Sequence, residues 1–152
     1  MSNILITSIG RRVALAKAFE IEIKKYFPNN RIFTADANPK VIDLNYLESL
    51  ISFCKKNQIK LIIPTIDNEL LFLAENKSHL LEHNITPIIS SVEIIKKCRY
   101  KRLIHSFFKD HKIKVAEEYK LDNYRLPLYM KPIDGSRSED NHIMEHSQYL
   151  WM

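Results

Sequence analysis

An α/β fold built on a parallel sheet is what this sequence predicts, and three observations predict it. Short apolar runs recur through the first 90 residues, each ending in turn-forming residues. Amphipathic stretches with three- and four-residue apolar spacing lie between them. The intervals are long enough for the helical crossovers that parallel neighbours require.

In order along the chain, NILIT at 3–7 reads as a buried strand that stops at Ser8 and Gly10. Val13, Ala16, Phe19 and Ile23 then mark the apolar face of a helix, which ends at Pro28, Asn29 and Asn30. RIFTAD at 31–36 is the second strand. Leu47, Leu50, Ile51 and Cys54 give a helix from about Asn45 to Asn57, and LIIP at 61–64 is the third strand. A single helix is predicted from about Asn68 to His83, then a fourth strand in ITPIIS. Beyond Ser91 the texture turns basic and helical. Ser90 and Ser91 cap VEIIKKCRYKRLIHSFFKDH, whose apolar face is Ile94, Ile95, Cys98, Leu103, Ile104 and Phe107. PLYMKPI at 127–133 is a strand that opens a second lobe.

Composition narrows the function. The chain has 152 residues, 45% hydrophobic and 27% charged, which suits a packed core and argues against disorder. No apolar run approaches the roughly 20 residues of a membrane span, and MSNILITS reads as a strand, not a signal peptide, so a cytoplasmic setting is expected. Cys54 and Cys98 are too few for a disulfide framework or a CxxC metal site and are expected to be free, packed as small hydrophobes. The net charge of +5 is spread along helices, without nucleic-acid motifs, and favours phosphate-bearing small molecules.

Six segments carry candidate chemistry. The SIGRR turn places Gly10, Arg11 and Arg12 where helix amides attract anions, or Gly10 serves only a tight turn. With two glycines in the whole chain, a GxGxxG dinucleotide loop is excluded. Asp36 either caps a turn or accepts from a ribose or substrate amine. Thr65, Asp67 and Glu69 in PTIDNEL gather polar groups at a strand end, with helix N-capping by Asp67 the plainer role. Lys101 opens a basic helix in CRYKRLIHSFF. In YMKPIDGSRS, Lys131 supplies a compact charge, and Gly135, Ser136 and Ser138 a loop whose amides can approach phosphate. HIMEH at 142–146 matches the zinc pattern HxxEH, yet a metalloprotease also needs a third ligand, so zinc at His142 and His146 is not expected.

Taken in order, TSIGRR, KLIIPTIDNELL, CRYKRLIHSFF and MKPIDGSRS resemble the ATP-grasp ligases, most closely carbamoyl-phosphate synthase large-chain-like proteins. The resemblance implies a Rossmann-like pre-ATP-grasp domain over 1–90, then linker helices and a partial nucleotide-binding lobe over 91–152. It implies ATP and Mg2+ as cofactors and a small carboxylate or amine as substrate. Lys101, Lys131, Gly135, Ser136 and Ser138 would hold phosphates, and Glu145, in the hinge strand, would touch the nucleotide. Gly10, Arg11, Arg12, Asp36, Thr65, Asp67 and Glu69 would border the substrate cleft. The sequence departs from the family with Tyr100 before Lys101, where aspartate is common, and with Arg137, where a second glycine is frequent. Two spacings, after Asp36 and after Ser138, are short for the family. Ligands for magnesium are not found, so the chain by itself is expected to be inactive. A non-catalytic module sensing a small anion at Arg11 and Arg12, and one subunit of a split ligase, are the competing readings; a homodimer stays open.

Overall fold

The computed structural model describes residues 2–10, 12–36, 44–120, 123–132 and 141–145. The chain divides into two compact units, Met1–Ile95 and Lys96–Met152.

The first unit alternates strands and helices: β1 Asn3–Thr7, α1 Val13–Tyr26, β2 Ile32–Thr34, α2 Leu44–Lys56, β3 Ile59–Pro64, α3 Asp67–Glu75, α4 Lys77–Glu82 and β4 Thr86–Pro87. All four strands are parallel, in the order β2-β1-β3-β4. Right-handed crossovers place α1 on one face of the sheet and α2, α3 and α4 on the other. The core lies on the second face. Leu5 of β1 and Ile62 of β3 meet Leu47, Leu50, Ile51 and Cys54 of α2 and Leu73 and Leu80 of α3 and α4. Each fully buried aliphatic side chain there contributes about 1.5–3 kcal/mol. Alternation along β1 turns Ile4 and Ile6, also buried, to the opposite face.

The face covered by α1 is thinner than its periodicity predicts. No residue of α1 is fully buried. Ala16, Phe19 and Ile23 are half-buried, while Val13, expected on the packed face, is 54% exposed. Val13 sits in the first turn, at the end of the helix, where its neighbours no longer cover it.

Three further differences have local causes. The single helix expected over 68–83 is broken at Asn76, whose side-chain amide donates to the Phe72 carbonyl at 2.8 Å and closes α3. Ile66, not Asp67, is the N-cap of α3, and Asp67 is its first helical residue, where a carboxylate complements the dipole. The fourth strand is only Thr86–Pro87, because a proline has no amide to continue the ladder. Before it, α4 ends cleanly. Asn84, at φ 57°, lets its own amide reach Leu81 O and that of Ile85 reach Leu80 O, while Leu80 and Ile85 join the core.

Helix α5, Val92–Arg99, spans the division between the units. Ser91 is its cap, accepting from the Ile94 amide at 3.3 Å. Of the apolar face predicted for this stretch, Ile95 is buried, but Cys98 is exposed and therefore does not pack as a hydrophobe. The second unit has α6, Lys101–Asp110, and an antiparallel pair, β5 Leu128–Met130 with β6 His142–Met144. Leu103 on α6 is 49% exposed, against the expected packing, since α6 contributes no fully buried residue. Among the described residues, no helix is long and apolar enough to cross a membrane.

Candidate functional sites

The strand order reverses between β1 and β3, and at such a switch point the carboxyl ends of the strands open a crevice. The residues that end β1 and follow β3 meet there. Thr65 Oγ1 lies 3.0 Å from Thr7 O and 2.8 Å from Ser8 O, and the exposed Arg12 guanidinium donates to Thr65 Oγ1 at 3.2 Å. Ser8 adopts φ 52°, an uncommon conformation for a residue with a Cβ, and Gly10 follows at φ 46°. Around Gly10 there is open space, so backbone conformation and not crowding is what calls for glycine. The Ser8 hydroxyl is buried without a hydrogen-bond partner.

Beneath this rim lies a buried carboxylate. Glu69, fully buried in α3, accepts from Thr7 Oγ1 at 2.8 Å through one oxygen and from the Tyr46 hydroxyl at 2.7 Å through the other. Both oxygens thus have partners, as a buried carboxyl group requires. Burial pushes the Tyr46 phenol well above its usual range, and the bond to Glu69 adds to the shift. Nearby in α2, burial raises the Cys54 thiol to about 11, which keeps it an inert, protonated side chain. Asp36 is exposed just beyond β2, and Asp67 is half-buried at the start of α3.

The second unit holds an open cleft of about 570 Å³. Lys101 and His105 of α6 line it, with Glu118, Tyr129, Lys131 and Met144. Lys131 Nζ sits 5.2 Å from the centre of the Tyr129 ring, a cation–π contact. His105 Nδ1 lies 2.7 Å from Glu118 Oε1, within ion-pair distance but off the line of a hydrogen bond. At the rim, Tyr119 donates to Glu117 Oε2 at 2.7 Å, and that bond pushes its phenol up. Glu145, exposed, follows β6 directly.

A model of the PylC-like N-terminal domain matches residues 4–88, more than half of the chain. The chain belongs to the PylC-like N-terminal domain family. That family is related to the ATP-grasp ligases. No curated protein matches the chain.

The PylC-like domain holds the whole switch-point cluster. Of the residues singled out in the sequence, it brings together Arg12 and Thr65 directly and places Glu69 beneath them, whereas among the described residues Asp36 makes no bond with that cluster. Lys101 and Lys131, thirty positions apart in sequence, line a single cleft in the second unit. Arg11, Gly135, Ser136, Ser138 and His146 lie outside the described residues. His142 is on a strand, so the helical spacing that HxxEH needs to aim two histidines at zinc does not arise. Thr7, Ser8, Tyr46, His105 and Glu118 are functional candidates that sequence reasoning missed. The partners of Glu69 are 62 and 23 positions away, and no local pattern signals them.

Proposed function

We propose that this chain is the N-terminal part of an ATP-dependent carboxylate–amine ligase of the carbamoyl-phosphate synthase-like kind, with the cleft of the second unit as its nucleotide site. The observation that carries this reading is the convergence of Lys101 and Lys131 on one cleft, in a chain whose first unit is a domain of an ATP-grasp-related family. The cleft suits ATP. Its volume lies within the range of about 300–1,000 Å³ typical of small-molecule sites, its walls include Leu128, Met130 and Met144 for a purine, and two ammonium groups are present for phosphates.

In such a reaction a carboxylate oxygen attacks the γ-phosphorus, ADP departs, and an amine then displaces phosphate from the acyl carbon. The lysines would hold the phosphates and offset the charge that grows on the leaving ADP. Glu145, just after β6, would meet a ribose, and Arg12 and Asp67 would border the small substrate. Magnesium is a different matter. Among the described residues, no three His, Cys, Asp or Glu side chains converge as a metal site, and magnesium would be carried chiefly by the ATP phosphates with one or two carboxylates. A cytoplasmic setting, where ATP is plentiful, agrees with this reading.

Equilibrium dialysis of labelled ATP against the purified protein tests it. Saturable binding that ADP displaces and equimolar inorganic phosphate does not is the expected result. Binding of phosphate without binding of ATP would instead identify a small-anion module acting through the turn at Arg12.

A further inference from the structure

We propose that His105 is a third nucleotide-positioning residue, a phosphate contact that exists only while its imidazole is protonated. This rests on the assignment of the cleft to ATP. His105 stands four positions after Lys101 on α6, so the two side chains share one face of the helix, and both line the cleft. Its side chain is only 29% exposed, although α6 has no fully buried residue.

The Glu118 carboxylate, 44% exposed, faces the ring from the other side with Oε1 2.7 Å from Nδ1. That nitrogen is buried and makes no hydrogen bond. Attraction between charges, present when the ring is an imidazolium, is what this geometry offers. With Nδ1 turned to Glu118, Nε2 is the ring nitrogen left for a ligand. A neutral ring with its proton on Nδ1 presents a lone pair at Nε2, which repels a phosphate oxygen, whereas an imidazolium donates an N–H to it. The other charged or titratable groups of the cleft are Lys101 and Arg102 on α6, Glu117, Tyr119 and Lys120 beside Glu118, Tyr124, and Tyr129 and Lys131 at β5. The lysines and the arginine stay cationic across the range in which histidine changes charge, so among these cations His105 alone switches.

The sign follows. The contact is present at low pH and lost as pH rises through the histidine range. ATP affinity of the parent, His105→Gln and His105→Lys, measured from about pH 5.5 to about pH 8, tests the proposal. Because ATP's own titration is common to all three proteins, the difference in slope reports His105. The parent is expected to lose about tenfold more affinity over this range than His105→Gln. His105→Lys, permanently charged, is expected to retain tight binding at the upper end and to show the shallow slope. Parallel slopes with ATP binding intact would overturn the role of His105 and leave the ATP assignment standing. Absence of ATP binding by the parent at every pH would overturn both.

Discussion

Glu69 in the PylC-like domain and Lys131 in the second unit each follow an apolar strand, in PTIDNEL and YMKPI, and the two meet opposite fates. Glu69 turns inward, loses all contact with solvent and engages both oxygens with Thr7 and Tyr46. Lys131 stays exposed over the Tyr129 ring, at the edge of an open cleft. The difference teaches that a charged residue at a strand end becomes frame or site according to the partners the fold supplies. A carboxylate with two hydroxyl donors can be buried, whereas an ammonium beside an aromatic face retains its capacity to bind an anion.

The comparison breaks most readily at Glu69. Replacing it by alanine removes the carboxylate to which the Thr7 and Tyr46 hydroxyls donate, and the PylC-like domain should lose about 3 kcal/mol of stability. Urea unfolding checks this, and an unchanged midpoint would mean the network is not structural. Gly10→Ala should cost about 1–2 kcal/mol, because φ 46° strains any residue with a Cβ even though space is open. A neutral result in the same assay would show that the turn relaxes.

Smaller, and visible only at alkaline pH, is the effect of Tyr46. Its phenol ionises at higher pH in the folded chain than the ordinary value of 10.0, so its contribution is fully present below about pH 10 and is lost above it. Cys54 acts in the same direction, raised from the ordinary thiol value of 9.0 to about 11. Stability should therefore decline above about pH 9, and Tyr46→Phe should flatten the upper part of that decline. Unfolding curves of the parent and Tyr46→Phe with the same alkaline slope would contradict the account.

Most of the frame of the PylC-like domain was legible in the sequence. Apolar runs at 3–7, 31–36 and 61–64 are β1, β2 and β3 to within two or three residues at each end, since alternation and turn residues are local signals. What escaped was the competition between local groups, as at Asn76, where a side-chain amide ends a helix that periodicity carries onward. The carboxyl-edge location of Thr65 was also readable, from the strand ending at Pro64. The inward turn of Glu69 was not, because its acceptor role depends on Thr7 and Tyr46, which are remote in sequence. The same holds for the cleft. Lys101 and Lys131 stand out as separate basic residues, but only the cleft that they line together shows that they share a site with His105 and Glu118.

The central claim is that the second unit's cleft receives ATP phosphates through Lys131. Lys131→Met retains most of the stem and removes the charge. ATP affinity of parent and variant, with circular dichroism to show both folded, tests the claim most directly. The account predicts a loss of about 1.5–3 kcal/mol of binding free energy, tenfold or more in affinity, with the unfolding midpoint unchanged. Equal affinity in the two proteins would contradict it.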